Sequence, residues 1–208
     1  GRSMEKAEQF KEKYGFEKAY GSYEELLTDP EIEAVYIPLP NTMHYEWTIK
    51  ALKSGKHVLC EKPLAPTEAQ AKEMFAAAEE NHVYLMEAFA HQHSPYLTAI
   101  REEIKNGTIG DVRYMESAYI TSDYNKNNIR MRRDTLGGCT YDLGVYNTSL
   151  ILRTLAEEPT EIRAIASFSE EKIDKLTSVI MEYGDGKKAA FSCGMVLATD
   201  LDRHIDRF

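Results

Sequence analysis

Short apolar runs alternate with helix-like segments through the first half of the chain, and this alternation limits the possible folds more than any other feature. Val58-Leu59-Cys60 follows a helix stop at Gly55 and ends abruptly at Glu61-Lys62-Pro63. Ile32–Ile37 and Val83–Phe89 are runs of the same kind. Because strands joined by helices over short links lie side by side in parallel, the alternation predicts a parallel sheet with crossover helices.

Capping residues mark where the intervening helices begin. Ser3 precedes a stretch with an apolar stripe, and Ser22 with Glu25 three residues later forms a capping box. Thr67 stands before a long Ala-rich helix. Between the first two helices, Lys18–Tyr20 is expected to form a short strand. The order of elements is therefore that of a doubly wound α/β domain.

The second half of the chain changes to successive strands. One helix is expected from about Thr140 to Leu155. Four strands are expected at Val112–Thr121, Ile162–Phe168, Leu176–Tyr183 and Lys188–Val196, with a further one starting near His204. Runs of strands after a helix are typical of an α+β domain with a largely antiparallel sheet. We therefore expect two domains, residues 1–110 and 111–208.

The segment Gly184–Ala189 matches the letters of the dinucleotide-binding pattern G-x-G-x-x-A. That pattern functions only between a strand and a helix, where the helix N-terminus meets a pyrophosphate. Both flanks of this segment alternate like strands, so we interpret it as the turn of a β-hairpin.

Composition and charge exclude several classes of function. The 208 residues are 43% hydrophobic and 28% charged, as in an ordinary globular protein. A formal net charge of -9 argues against a nucleic-acid surface, and no apolar run is long enough to span a bilayer. Cys60, Cys139 and Cys193 lack the spacing of a zinc site or a disulfide framework, which favours the reducing cytoplasm.

Two motifs carry residues that are suited to proton transfer. Lys62 stands at the carboxyl end of a predicted parallel strand, the edge at which open α/β sheets bind ligands. After the Gly137-Gly138 turn, Asp142 and Tyr146 are four residues apart and so share one face of the predicted helix. Because an ammonium group favours a neighbouring phenolate, a Lys62–Tyr146 pair can take a proton from a substrate hydroxyl while a hydride leaves the same carbon.

Each of these residues also has an interpretation without catalysis. Lys62 can be the charge of a solvated turn, and Tyr146 can be a partly buried aromatic residue. Asp142 is favoured near a helix N-terminus by the helix dipole. Spacing alone leaves both interpretations open.

Taken together, the motifs resemble the Gfo/Idh/MocA oxidoreductases. Four stretches carry the resemblance: Pro38–His44, His57–Ala65, Asn128–Arg130 and Leu136–Tyr146. The likeness is to the branch of glucose-fructose oxidoreductase, xylose dehydrogenase and dimeric dihydrodiol dehydrogenase. It implies an α/β fold with a partial Rossmann-type domain and a following α+β domain. It also implies an NAD(P)-dependent enzyme acting on the CH-OH group of a sugar, polyol or cyclic diol, and a homodimer or higher homo-oligomer through the C-terminal sheet.

The resemblance further implies roles for single residues. Lys62 and Tyr146 are catalytic, and Asp142 helps to bind the sugar-like substrate. Arg130 and His91 are further candidate substrate contacts, with a solvated loop charge as the alternative for Arg130. The implied cofactor contacts are Arg2, Ser3, Leu39, Pro40, Asn41, His44, Glu61 and Lys62. Because an arginine fork matches phosphate oxygens, an arginine at position 2 favours NADP over NAD.

The chain departs from the family pattern in two places. Family members begin with a strand and a Gly-rich phosphate turn, and this chain starts after both, so we expect it to be part of a longer enzyme. His91-Gln92 stands where the branch usually has Tyr-Arg. His91 and His93 have the spacing of a strand-borne metal pair, but no third ligand is evident, so no metal is expected.

The missing phosphate turn keeps a second hypothesis open beside the oxidoreductase. In that hypothesis the fold senses a sugar or a nucleotide, or serves as an oligomeric module, or is an inactive fragment. Fluorescence titration with NADPH and NADH distinguishes these cases for the chain as given, because binding by a longer chain without binding by this one would locate the loss in the missing turn.

Overall fold

The computed structural model describes residues 2–122, 125, 127–197 and the backbone of 204–207. The chain forms two compact units. The first comprises Gly1–Leu39 and Met43–Glu87, and the second comprises Pro40–Thr42 and Ala88–Phe208. The helix that begins at Pro95 groups with the second unit.

The first unit alternates helices with the strands of a small sheet. Its elements are α1 (Met4–Tyr14), α2 (Tyr23–Thr28), β1 (Ala34–Ile37), α3 (Asn41–Lys53), β2 (His57–Glu61), α4 (Glu68–Glu80) and β3 (Leu85–Ala88), although Asn41, Thr42 and Ala88 at the ends of α3 and β3 group with the second unit. The strand order is β1-β2-β3, and β1 pairs with β2 in parallel, with Tyr36 opposite Leu59. The predicted parallel arrangement with crossover helices is confirmed.

Local signals and burial explain these elements. Ser3 Oγ and Thr67 Oγ1 accept backbone N–H groups in the first turns of α1 and α4, as the sequence predicts. The helices bury Leu52 and Met74 completely in the core of this unit. Burying such a side chain contributes about 1.5–3 kcal/mol relative to leaving it in water.

The strand expected at Lys18–Tyr20 is wrong, because this segment has no regular structure. Lys18 Nζ instead lies 2.8 Å from Asp29 Oδ2, and the Tyr20 hydroxyl donates to the same oxygen at 2.5 Å. Side-chain contacts to a later turn therefore hold this segment, in place of pairing with another strand.

The second unit is built around a five-stranded sheet. Its elements are α5 (Pro95–Lys105), β4 (Tyr114–Ser122), α6 (Val145–Leu155), β5 (Glu161–Phe168), β6 (Asp174–Glu182), β7 (Lys188–Leu197) and β8 (His204–Arg207). The strand order is β5-β6-β7-β4-β8, in which β4 and β7 are parallel and the other pairs are antiparallel. The largely antiparallel sheet is confirmed. So is the hairpin, since Glu182 lies opposite Lys188 on the next strand.

The two faces of this sheet differ in burial. Val179 and Phe191 point into the core that also contains Ile151 of α6. On the opposite face, Ile165 is 82% exposed and Ile180 is 52% exposed. The sheet therefore holds the helix on one side and presents an open surface on the other.

Candidate active site

Lys62 directly follows β2, in a turn that hydrogen bonds hold on both sides. Before it, Glu61 Oε1 accepts a hydrogen bond from the Tyr36 hydroxyl of β1 at 2.5 Å. After it, the Leu64 N–H donates to Glu87 Oε1 of β3 at 2.7 Å. The hydrogen bond to Glu61, together with burial, raises the pKa of Tyr36 to about 12, so the phenol stays a neutral donor. The predicted position of Lys62 at the carboxyl end of a strand is confirmed.

His44 joins the turn after β1 to the turn after β2. Its imidazole is fully buried, with Nδ1 at 2.8 Å from the Pro63 carbonyl and Nε2 at 2.7 Å from the Leu39 carbonyl. Both ring nitrogens lie within hydrogen-bond distance of a main-chain oxygen, and the nitrogen that carries the proton donates to its oxygen. The resemblance implies that His44 touches the cofactor, whereas this geometry makes it a brace for Leu39 and for the cis Lys62–Pro63 peptide.

The other expected cofactor contacts lie at the start of the chain and after β1. Arg2 is exposed, and Leu39 and Pro40 are half-buried. Asn41 belongs to the second unit, where its Nδ2 donates to the Leu136 carbonyl at 2.9 Å. Its amide thus has a structural partner in addition to the cofactor role expected from the sequence.

Asp142 and Tyr146 lie on either side of a change in helix type. Thr140–Gly144 forms one π-helical turn, closed by the Val145 N–H donating to the Thr140 carbonyl. The expectation of one regular helix from Thr140 is therefore wrong for its first turn. Wide turns of this kind occur frequently at functional sites, because they redirect side chains.

Gly137 allows two backbone segments to approach closely. Its N–H donates to the Arg132 carbonyl, and the Gly138 N–H donates to the Arg130 carbonyl, both at 2.8 Å. A Cβ atom on Gly137 would overlap the Arg130 carbonyl and lie 2.8 Å from the Arg132 oxygen. Glycine is therefore required here by space and not by an unusual φ angle.

Two contacts seat the helix that carries Tyr146 on the sheet. A Cβ atom on Gly144 would lie 3.1 Å from Cys193 Sγ of β7, so glycine permits the close approach. The Ser117 hydroxyl of β4 donates to Asn147 Oδ1 at 2.6 Å, and both side chains are buried. Because a buried polar pair is costly to break, this hydrogen bond limits rotation of the helix.

Arg130 and Asp142 form an ion pair within the second unit. Arg130 Nε lies 2.9 Å from Asp142 Oδ1. The Arg130 side chain is 42% exposed and that of Asp142 is 10% exposed, so the pair leads from the surface to a buried carboxylate. The structure thus brings together two residues that the sequence proposes for substrate binding.

Three aromatic rings surround Tyr146. The ring centroids of Phe89, His91 and Tyr119 lie 5.6, 5.4 and 5.6 Å from that of Tyr146. These ring contacts restrict the orientation of the phenol. The interpretation of Tyr146 as a partly buried aromatic residue is therefore correct as far as packing is concerned, and it is compatible with a catalytic hydroxyl.

His91 is kept in its neutral form by its surroundings. Burial lowers the pKa of the imidazole, and the charge of Arg153 lowers it further. Both ring nitrogens are buried, and neither has a hydrogen-bond partner among the described residues. The adjacent Gln92 donates to Ser149 Oγ of α6 at 2.7 Å, which ties this segment to the helix that carries Tyr146.

Two features that other classes of function need are absent from the part of the chain that the structure describes. No helix there is both long and apolar enough to cross a bilayer, and no three His, Cys, Asp or Glu side chains cluster as metal ligands. The strand assumed for a His91–His93 pair is wrong, because Ala90–His93 is a 3₁₀ turn.

Several residues that shape the site have no signal in the local sequence. Tyr36 contacts Glu61 across 25 residues, Ser117 contacts Asn147 across 30, and Asp174 receives the Thr140 N–H across 34. Such partners are selected by folding, so spacing rules for helices and strands do not reveal them.

Lys62 belongs to the first unit, whereas Tyr146 and Asp142 belong to the second. The meeting of the ammonium and the phenol at one substrate carbon stays a prediction.

Comparison with known protein families gives two matches that together span most of the chain. Residues 1–89 match the model of an oxidoreductase family with an NAD-binding Rossmann fold. Residues 97–206 match the model of the GFO/IDH/MocA C-terminal domain.

Individual relatives extend this comparison. The mouse trans-1,2-dihydrobenzene-1,2-diol dehydrogenase is 35% identical over 197 residues, which are 93% of this chain and 58% of that enzyme. KijD10, a 3-ketoreductase from Actinomadura kijaniata solved with NADP and TDP-benzene, is 30% identical with a TM-score of 0.86. That alignment covers 95% of this chain and 61% of the reductase. The chain thus spans about three fifths of the length of these relatives.

Other solved structures of KijD10 are of variants altered at one of two positions. One form carries a tyrosine-to-phenylalanine change, and two others carry a lysine changed to alanine or to glutamate. The two altered positions are separated by the same number of residues as Lys62 and Tyr146.

Substituting Gly137 tests the close backbone approach beside Arg130. We expect Gly137→Ala to lower the free energy of unfolding by about 1–3 kcal/mol, the usual effect of overpacking. Gly184→Ala is the matched control, since its Cβ would meet nothing nearer than Thr160 at 3.9 Å. Urea unfolding measures both variants. A Gly137→Ala protein as stable as the Gly184→Ala protein would contradict the assignment.

Proposed function

Because the chain belongs to the GFO/IDH/MocA oxidoreductase family, we propose that the protein is an NAD(P)-dependent oxidoreductase. It transfers a hydride between the nicotinamide and a CH-OH carbon of a sugar, a polyol or a related cyclic diol. The observation that carries this proposal is the separation of Lys62 and Tyr146, which recurs between the two altered positions of the NADP-binding reductase. The family match to both halves of the chain supports it.

In the direction of oxidation, Tyr146 accepts the proton of the substrate hydroxyl on its phenolate oxygen. A bound NAD(P) would supply the acceptor for the hydride that leaves the same carbon. The Lys62 ammonium stabilises the phenolate and the alkoxide that develops on the substrate. In the reverse direction the Tyr146 hydroxyl returns the proton. Acid-base assistance of this kind contributes roughly 10²- to 10⁴-fold to the rate.

We propose that the Arg130–Asp142 pair binds the substrate hydroxyls, and the pair is called the Arg130–Asp142 grip below. A carboxylate accepts hydrogen bonds from two neighbouring hydroxyl groups, and the guanidinium beside it donates. His91 lines the same region as a neutral ring. A neutral imidazole beside the phenol is compatible with a polyhydroxylated, uncharged reacting end of the substrate.

The proposed cofactor contacts divide into direct and indirect ones. Arg2, Ser3, Leu39, Pro40, Asn41, Glu61 and Lys62 are the direct contacts carried over from the family. His44 acts through the Leu39 and Pro63 carbonyls, to which its ring is bound. The exposed guanidinium of Arg2 pairs with a 2′-phosphate, which makes NADP the preferred cofactor.

Removal of the Tyr146 hydroxyl tests the proton-transfer role. We expect Tyr146→Phe to reduce kcat by at least about 10²-fold, because the general acid-base group is lost. Turnover is measured with NADP on a panel of D-xylose, D-glucose, myo-inositol and trans-1,2-dihydrobenzene-1,2-diol, in the full-length protein. Tyr96→Phe, which removes an exposed phenolic oxygen, is the control and should keep wild-type activity.

Retention of more than about a tenth of the activity by Tyr146→Phe is incompatible with this role.

Lys62→Ala should lower kcat by a larger factor than it weakens NADPH binding. Binding of NADPH by the wild-type protein with no turnover on the panel would favour the sensing hypothesis over the enzyme.

The preference for NADP is tested at Arg2. We expect Arg2→Ala to weaken NADPH binding about tenfold, the effect of losing one charge-assisted hydrogen bond, and to leave NADH binding unchanged. Lys6→Ala removes a neighbouring exposed positive charge and serves as the control. Fluorescence titration measures both cofactors. Equal weakening of NADPH and NADH would assign Arg2 to the adenosine ribose instead of the phosphate.

The open face of the second sheet supports the proposal of a homodimer. One row across this face reads Ile165, Ser178, Ser192 and Ala118 on β5, β6, β7 and β4. In the next row Ile180 lies opposite Ala190. Small and apolar side chains make this surface flat, so two copies can pack face to face about a two-fold axis.

Charge on the open face tests the dimer. We expect the double substitution Ile165→Asp and Ile180→Asp to convert a dimer into a monomer, because a two-fold axis doubles each buried charge. Ile109→Asp, which alters an isoleucine that is 67% exposed and lies outside the sheet, is the control. Light scattering coupled to size-exclusion chromatography gives the molar mass. A dimer that survives the double substitution would place its interface elsewhere.

The state of the cysteines accords with a reducing, cytoplasmic setting for this enzyme. Cys60, Cys139 and Cys193 are all buried free thiols. Burial raises the pKa of Cys60 to about 11, so this thiol stays protonated. We therefore propose that no disulfide forms among these three residues in the working enzyme.

A further inference from the structure

Asp174 stands at the start of β6, far in sequence from the residues assigned to the reaction. We propose that it is a positioning residue that aligns both partners of the Arg130–Asp142 grip. This inference rests on the proposed function, since it assigns Asp174 to the substrate side of that site.

One oxygen of Asp174 gathers donors from the start of the π-helical turn and from its own strand. Oδ2 accepts the Thr140 N–H at 2.9 Å, the Thr140 hydroxyl at 2.5 Å and the Thr177 hydroxyl at 2.9 Å. Cys139 Sγ lies 3.0 Å from the same oxygen. The carboxylate therefore caps the turn that leads to Asp142, a task for which this turn has no capping side chain of its own.

The carboxylate is ionised at neutral pH. Burial by itself raises the pKa of Asp174, but the hydrogen bonds from Thr140, Cys139 and Thr177 outweigh burial and lower the pKa. An ionised carboxylate only accepts hydrogen bonds, which matches a site in which every neighbour is a donor. An asparagine amide would keep one acceptor oxygen but would lose the negative charge and place an NH2 donor at the position of the other oxygen.

The other oxygen of Asp174 connects this cap to Arg130. Gly138 has a φ of +118°, and a Cβ atom there would collide with Asp174 Oδ1. The Gly138 N–H in turn donates to the Arg130 carbonyl at 2.8 Å. Asp174 thus packs against the turn that holds the Arg130 backbone, and it caps the turn that bears Asp142. A single carboxylate fixed in a sheet strand sets the relative position of the two charged groups.

Catalytic rates are sensitive to small displacements of the substrate, since a misplacement of about 1 Å can reduce the rate by about 10²-fold. Loss of the cap shifts the substrate grip, while the residues assigned to the cofactor lie mostly in the other unit. A positioning role therefore predicts an effect on kcat and on the substrate KM, without an equal effect on NADPH binding. A purely structural role predicts lower stability with kinetic constants unchanged for the molecules that remain folded.

The experiment compares three variants of the full-length protein. Asp174→Asn removes the negative charge and one of the two acceptor oxygens. Thr140→Val removes the hydroxyl that joins Asp174 to the π-helical turn, and Thr177→Val removes the hydroxyl on its own strand. Thr140→Val and Thr177→Val each remove one hydroxyl that donates to Asp174 Oδ2, so they form a matched pair. Steady-state turnover on the panel member that the wild type uses fastest, NADPH titration and thermal unfolding are measured for each.

We expect Asp174→Asn and Thr140→Val to lower kcat/KM by about tenfold or more, with a raised KM and an NADPH Kd within about twofold of wild type. Thr177→Val should keep kcat/KM within about threefold, even where its thermal midpoint falls. If Asp174→Asn does not fold, Thr140→Val decides the question.

Two results would overturn the inference. The first is a wild-type kcat/KM in Thr140→Val. The second is an equal loss of kcat/KM in Thr140→Val and Thr177→Val. Either result would show that Asp174 only stabilises the fold. Failure of the proposed function is seen separately, as a wild-type protein without turnover or a Tyr146→Phe variant with full activity.

Discussion

The buried hydrogen bond between Ser117 and Asn147 is the contact on which the second unit depends. It fixes α6 on β4 at the point where the helix begins, one residue after Tyr146. Leaving either group unpaired in the core would cost about 1–3 kcal/mol, a large part of the stability of an ordinary domain. Because Gly144 has no side chain, the backbone just before the same end of the helix can lie close to Cys193 of β7.

The two units use the same physical device at their functional loops. In the first, the His44 ring binds two main-chain carbonyls and braces the turn that carries Lys62. In the second, the Asp174 carboxylate collects donors from the turn that carries Asp142. Loops at strand ends would otherwise be the least ordered parts of the fold. A side chain in the interior makes such a loop part of the rigid scaffold and so reduces the ordering that substrate binding must provide.

The surroundings of Tyr146 are compatible with the acid-base role that we propose for this packed aromatic residue. Its ring is held by Phe89, His91 and Tyr119, so the position of the hydroxyl follows from packing. Burial lowers the pKa of His91 and the charge of Arg153 lowers it further, so in the proposed site His91 adds no positive charge beside the phenol. The proposed charge balance then depends on Lys62 as the ammonium partner and on the Arg130–Asp142 pair as a neutral whole.

The sequence by itself determined the features that depend on near neighbours in the chain. Alternating apolar runs, the caps at Ser3 and Thr67, the hairpin at Gly184–Gly186 and the place of Lys62 after a strand are all local, because they arise within one or two turns. Tertiary structure decided the rest. It left Lys18–Tyr20 without a strand, widened the first turn after Cys139, and recruited Asp174 from another strand. These outcomes depend on contacts between residues that only folding brings together, and no periodicity in the chain encodes them.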